Sequence, residues 1–133
     1  MDLTAWPQRI QVNGRLEPWE LEYICRQHPG HTIITQANKW NGGLLDEEWD
    51  NHAILVDASG GRGKSPEEWR RLDTDKQVGF AGGLGPDNIV AELRRIRAVA
   101  TGDWWIDMEG KLRNELDWFD VKRARAVIGA VCG

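Results

Sequence analysis

No apolar run in this sequence approaches the ~20 residues that a membrane-spanning helix needs. The first residues, Met1-Asp2-Leu3-Thr4-Ala5, also lack the basic and apolar stretches of a secretory leader. A soluble, cytoplasmic protein with no membrane partner is therefore expected. Cysteine is scarce: Cys25 and Cys132 form no CxxC pair and no Cys/His spacing that suits zinc, so they read as reduced thiols and no metal is expected. Basic charge is in deficit as well. The 17 Lys and Arg against 21 Asp and Glu leave a net charge of −4, which argues against the concentrated basic surface that nucleic-acid binding requires. Arg94, Arg95 and Arg97, like Lys122, Arg123 and Arg125, fall on expected helices and read as solvated faces. No linker or low-complexity stretch divides the chain, so residues 1–133 are expected to form one structural unit.

What the composition has in excess is tryptophan. Its eight residues read as core and interface packing rather than as ligand-stacking platforms. Along the chain, five short β-rich runs recur, at residues 9–13, 32–36, 53–58, 78–81 and 104–108, with helical or turn-rich segments between them. Ile33-Ile34 and Ile54-Leu55-Val56 are continuous rather than alternating, as in parallel strands buried on both faces. Helix starts are expected at Pro18, at Ser65-Pro66-Glu67-Glu68 with its capping-box pattern, after Gly85-Pro86-Asp87-Asn88, and at Asp120. Residues 38–50, broken by Asn41-Gly42-Gly43, leave room for a short helix at most. The fold class that follows is α/β: about five parallel strands with intervening helices, a partial (β/α)8 TIM barrel. A complete barrel takes ~250 residues.

In a parallel α/β sheet the site lies at the C-terminal ends of the strands. There the sequence places Asn13-Gly14, Gln36-Ala37-Asn38, Asp57-Ala58-Ser59, Gly82-Gly83-Leu84 and Asp107-Met108-Glu109. Asp57 directly follows three apolar residues and should be partly desolvated, the condition in which a carboxyl group serves as a general acid near neutral pH. Equally, it could accept hydrogen bonds from the glycine-rich loop behind it. Gly60-Gly61-Arg62-Gly63-Lys64 lacks the glycine spacing of a Walker loop and reads as a lid. Gly82-Gly83 before a helix start suits close approach of an anion to backbone N–H groups. The same pair also suits a plain tight turn.

Taken together these segments resemble the C-terminal part of the phosphoribosylanthranilate isomerase family of tryptophan biosynthesis, strands four to eight of its barrel. Leu55-Val56-Asp57-Ala58, the following GGRGK loop and Trp69 are similar to that family's LLDA, its GGxGK loop and the aromatic helix start after it. Ala81-Gly82-Gly83-Leu84-Gly85-Pro86-Asp87-Asn88-Ile89 is similar to AGGLxPENV, Ile106-Asp107-Met108-Glu109-Gly110 to VDVSSGVE, and Gln11-Val12-Asn13-Gly14 to QLHG.

The resemblance implies an Amadori rearrangement of a phosphorylated sugar-type amine, needing no metal and no cofactor. Asp57 would be the acid that opens the furanose ring. Gly82, Gly83 and Gly110 would hold the 5'-phosphate, with Gln11, Asn13, Gly61, Arg62 and Gly63 along the substrate. In that family the base is a first-strand cysteine, and the group gripping anthranilate also comes from the N-terminal region. Those elements are expected from a homodimer or from a partner chain that supplies the strands. The alternative is a phosphate-ester-binding module, or a dimerising half-barrel, without catalysis. One departure is local: Glu109-Gly110-Lys111 stands where the family has Ser-Ser-Gly, and Glu109 would repel a phosphate unless Lys111 or Arg113 offsets it.

Overall fold

A computed structural model describes residues 7–58 and 64–132 of the chain. Five strands, β1 (Arg9–Val12), β2 (Thr32–Gln36), β3 (His52–Asp57), β4 (Val78–Ala81) and β5 (Trp104–Asp107), form one sheet. Every neighbouring pair is parallel, and the spatial order is the chain order. The expected α/β character is present, with strand ends within a residue of those read from the sequence. The sheet is open: among the described residues no pairing joins β5 to β1. Right-handed crossovers between strands laid down in order put all the connections on one face. Three helices serve there, α1 (Pro18–Gln27), α2 (Ile89–Arg97) and α3 (Val121–Cys132). None of the described helices is long and apolar enough to cross a membrane.

Local chemistry explains the helices. Pro18 takes the first position of α1, and the Glu17 backbone N–H donates to Glu20 Oε2 at 2.8 Å, closing one half of a capping box. One turn apart, Leu21 and Cys25 turn inward. Ile89, Leu93 and Ile96 give α2 its buried stripe. Asp120 Oδ1 accepts from the Lys122 N–H at 2.8 Å at the start of α3. In segment 38–50 only a 3-10 turn, Gly42–Asp46, forms.

The helix expected from Ser65-Pro66-Glu67-Glu68 is absent, and the side chains that displace it are visible. Arg95 donates to the carbonyls of Pro66 and Glu67, the acceptors a first helical turn would need. Ser65 Oγ donates to the Gly83 carbonyl instead of capping its own segment. Trp69 Nε1 donates to the buried Glu92 at 2.7 Å, and Glu92 in turn receives Arg95 through both oxygens at 2.9 Å. Tertiary bonds from α2 therefore hold this connection as irregular chain.

The helix face carries most of the core. Ile54, Val56, Val78 and Phe80 pack with Trp69, Leu72, the α2 stripe and Val127 of α3. Phe80 meets Trp69 and Trp104 edge to face, with centroids 5.9 and 6.3 Å apart. Ile33 packs with Leu16, Leu21, Cys25 and Leu44 beneath α1. The opposite face bears smaller residues, Ala53 and Ala81 with Ile34 and Leu55, against Trp105. The Trp105 ring lies on Gly79, where an added Cβ would stand 2.1 Å from it. Arg9 of β1 then stacks over the same ring, its Cζ 4.3 Å from the centroid. Laid flat, β1 and β5 would be about 19 Å apart, four spacings of ~4.8 Å, so this contact requires the sheet to curl around its helix-free face.

Two outcomes follow. Gly79→Ala should destabilise the protein by about 1–3 kcal/mol through overpacking against Trp105, checked by urea unfolding. The second concerns His52, whose Nε2 lies 2.7 Å from Thr35 Oγ1 inside the core. Burial, with a smaller contribution from Lys76, lowers its pKa from 6.5 to about 4. The folded protein thus favours the neutral ring, and the unfolded chain takes up the proton first as pH falls. Stability contributed by His52 is complete above pH 6.5 and is lost down to about pH 4, by roughly 3 kcal/mol in total. In His52→Gln the fall in unfolding free energy over that interval should be shallower; identical slopes for variant and wild type would contradict the assignment.

Candidate active site

At the C-terminal ends of β3, β4 and β5 a cavity of about 450 Å3 opens. It brings together four of the residues singled out in the sequence: Asp57, Gly82, Gly83 and Gly110. Gln11 and Asn13 lie elsewhere, at the exposed end of β1, where the Gln11 amide donates to Asn13 Oδ1 at 2.7 Å. Gly61, Arg62 and Gly63 fall outside the described residues.

Side chains build the loop after β4. Gly82 and Gly83 have φ of 131° and 64°, in the region that favours glycine. Asn88 folds back over them: its Nδ2 donates to the Gly83 carbonyl at 2.8 Å and to Ser65 Oγ at 3.1 Å, while its Oδ1 accepts from the Gly85 N–H at 2.9 Å. Gly83 also lies against the Lys64–Ser65 backbone, 2.2 Å from Ser65 N for an added Cβ. Gly82-Gly83 is thus a tight turn held by Asn88 and the Lys64–Ser65 backbone. Gly85 lets the Lys111 stem cross the mouth of the loop, since a Cβ there would come within 2.6 Å of Lys111 Cβ.

A residue that the sequence reading left without a role, Asp107, belongs to this site. Register places Asp57 of β3, Ala81 of β4 and Asp107 of β5 in one row across the sheet. Residues in such a row point to the same face, so two carboxylates, Asp57 half-buried and Asp107 exposed, flank a small alanine along the cavity. Strand pairing was needed to find the pair, although equal distance from the strand ends was a usable signal. Burial first, then the charges of Asp57 and Glu109, push the Asp107 carboxyl above its usual range, with the Met108 N–H pulling the other way. Arg113 is engaged by Glu109 and by Asp117, the latter at 3.2 Å. Lys111, exposed at the rim, is the remaining cation lining the described cavity.

Neither cysteine reaches this site. Cys25 is buried in α1 against Ile33, and Cys132 is exposed at the end of α3. Among the described residues no group of three or more His, Cys, Asp or Glu is placed to hold a metal ion. Comparison with protein-family models, with curated proteins and with solved structures gives no match to this chain.

Gly83→Ala combines a disfavoured φ with a backbone clash and should cost more than the ~0.4–1 kcal/mol that glycine replacement typically yields at compatible sites, with the opposite sign. Thermal unfolding checks it, and a variant as stable as wild type would show that the loop relaxes.

Proposed function

We propose that this chain is the part of a (β/α)8-type barrel that carries the phosphate cup and proton-transfer groups of a phosphoribosylanthranilate-isomerase-like site. The observation that carries the reading is the convergence of Asp57, Gly82, Gly83, Asp107 and Gly110 in one cavity at the C-terminal ends of consecutive parallel strands. A phosphate ester seated over the Gly82-Gly83 turn would meet backbone N–H groups and the start of α2, with Lys111 closing over it. The sugar then extends along the row that holds the two carboxylates.

The rearrangement needs one proton given and one taken. Asp57 donates to the ring oxygen as the furanose opens, and Asp107, on the other side of Ala81, accepts the C2' proton. Asp107 is the carboxylate that strand register sets across Ala81 from Asp57. Asp107 therefore takes the role that a first-strand cysteine has in the resembled family. The open edges of β1 and β5 are where further parallel strands would pair. The mostly exposed face of α3, with Val121 and Ile128 outward and Val127 alone buried, would cover a strand beside β5.

Isothermal titration with ribose 5-phosphate tests the cup. Wild type should bind, and Gly83→Val should not; a wild type that shows no binding rules out the proposal. Turnover of N-(5'-phosphoribosyl)anthranilate is to be followed for the chain alone and after addition of a polypeptide supplying three parallel βα units. Asp57→Asn and Asp107→Asn should each reduce turnover by about 10²–10⁴-fold with ribose 5-phosphate affinity retained. A second reading, a phosphate-ester-binding module without catalysis, is favoured by the placement of both cysteines away from the cavity. Binding without turnover in either arrangement would select it.

A further inference from the structure

The two edges of the sheet and the helices beside them lack partners. Among the described residues β1 pairs only with β2, and β5 only with β4. Neither edge strand holds a proline or a lysine, the residues that ordinarily blunt an open edge. Most of the exposed large apolar side chains lie at the same two places. Trp19 and Tyr23 stand out from α1, 68% and 63% exposed, and Val121 and Ile128 from α3, 54% and 60% exposed. Val127 is the one buried residue of α3 among those described, so most of the apolar stripe of that helix has nothing against it. Just ahead of α3, Leu116 and Trp118 are exposed on a turn that Asn114 holds, its Oδ1 accepting from their N–H groups at 2.9 and 3.1 Å. The apolar surface beside β5 is therefore preformed, the condition under which association costs least in ordering.

Charge distinguishes the two ends. α3 carries Lys122, Arg123 and Arg125 with no acid, whereas α1 carries Glu20 and Glu22 against one base, Arg26. Lys122 and Arg125 make no salt bridge among the described residues. Both halves of a seam, one basic and one acidic, each with apolar side chains and a free parallel edge, are thus present on one chain. Complementarity of that kind fits a second copy of the chain.

We propose that two copies join about a twofold axis running along the strands, the β5 edge of each pairing in parallel with the β1 edge of the other. Five strands whose ends already reach each other through Arg9 and Trp105 form an arc, and a second arc facing the first meets both edges at once. The axis repeats the seam, so no edge is left over and assembly stops at two. α1 follows β1 and α3 follows β5, so both helices start at the C-terminal ends of the strands and descend in the same sense. Across the seam they lie side by side, which brings Val121 level with Trp19, Arg125 with Glu22 and Ile128 with Tyr23. The proposal rests on the open arc of the reading above and not on its isomerase chemistry. Self-association and ribose 5-phosphate binding are measured separately, so either can fail alone.

Sedimentation velocity of the intact chain at micromolar concentration tests it. The expected species has twice the mass of the chain; a monomer, or a ladder of larger species, overturns the proposal. Tyr23→Asp and Ile128→Asp alter exposed side chains, so each variant should keep its fold by circular dichroism and sediment as a monomer. Survival of the dimer in either variant overturns the seam, and survival in Tyr23→Asp alone would mean that α3 pairs with α3. Mixing the two monomeric variants supplies the remaining check. In a mixed pair one seam carries both substitutions and the other carries neither, so association should return, more weakly than in wild type. No association on mixing overturns the pairing of α3 with α1.

Discussion

Parallel pairing in chain order is the constraint from which the rest of this molecule follows. Each connection must return to the same end of the sheet before the next strand starts, and the handedness of such crossovers assigns every return to one face. That face receives the helices and the large apolar side chains. The other face carries Ala53, Ala81 and Gly79 with Ile34, Leu55 and the Trp105 indole. The ends of the strands, where the chain turns outward, are places where polar side chains from different connections meet.

Much of this was legible in the sequence because it rests on local chemistry. The runs Ile33-Ile34 and Ile54-Leu55-Val56 mark buried strands, and the stripe of Ile89, Leu93 and Ile96 marks α2; no tertiary contact opposes either signal. Segment 64–77 was misread for the opposite reason. Its capping pattern is real, but Arg95, thirty residues downstream in round terms, occupies the carbonyls a helix would use. Competition of that sort depends on which side chains arrive from another element, and local sequence does not record it.

The candidate site divides along the same line. Asp57 and the Gly82-Gly83 turn stood out because a carboxylate after an apolar run and paired glycines before a helix are local patterns. Asp107 became meaningful only through register, which sets it across Ala81 from Asp57. Its altered proton affinity likewise comes from the folded chain, first from burial and then from the charges of Asp57 two strands away and Glu109 on its own loop. The departure at Glu109-Gly110-Lys111 also acquires a structural sense: Glu109 spends its charge on Arg113, while Lys111 lies across Gly85 at the rim of the cavity.

The contact between Arg9 and Trp105 has the mechanics of a tie across an arch. An arch that is tied at its feet keeps its span without an abutment on either side. Here the guanidinium of the first strand and the indole of the last draw the two ends of the sheet toward each other across the concave side. A neighbour that seats itself between the ends therefore meets strands already joined by a side-chain contact across the concave face.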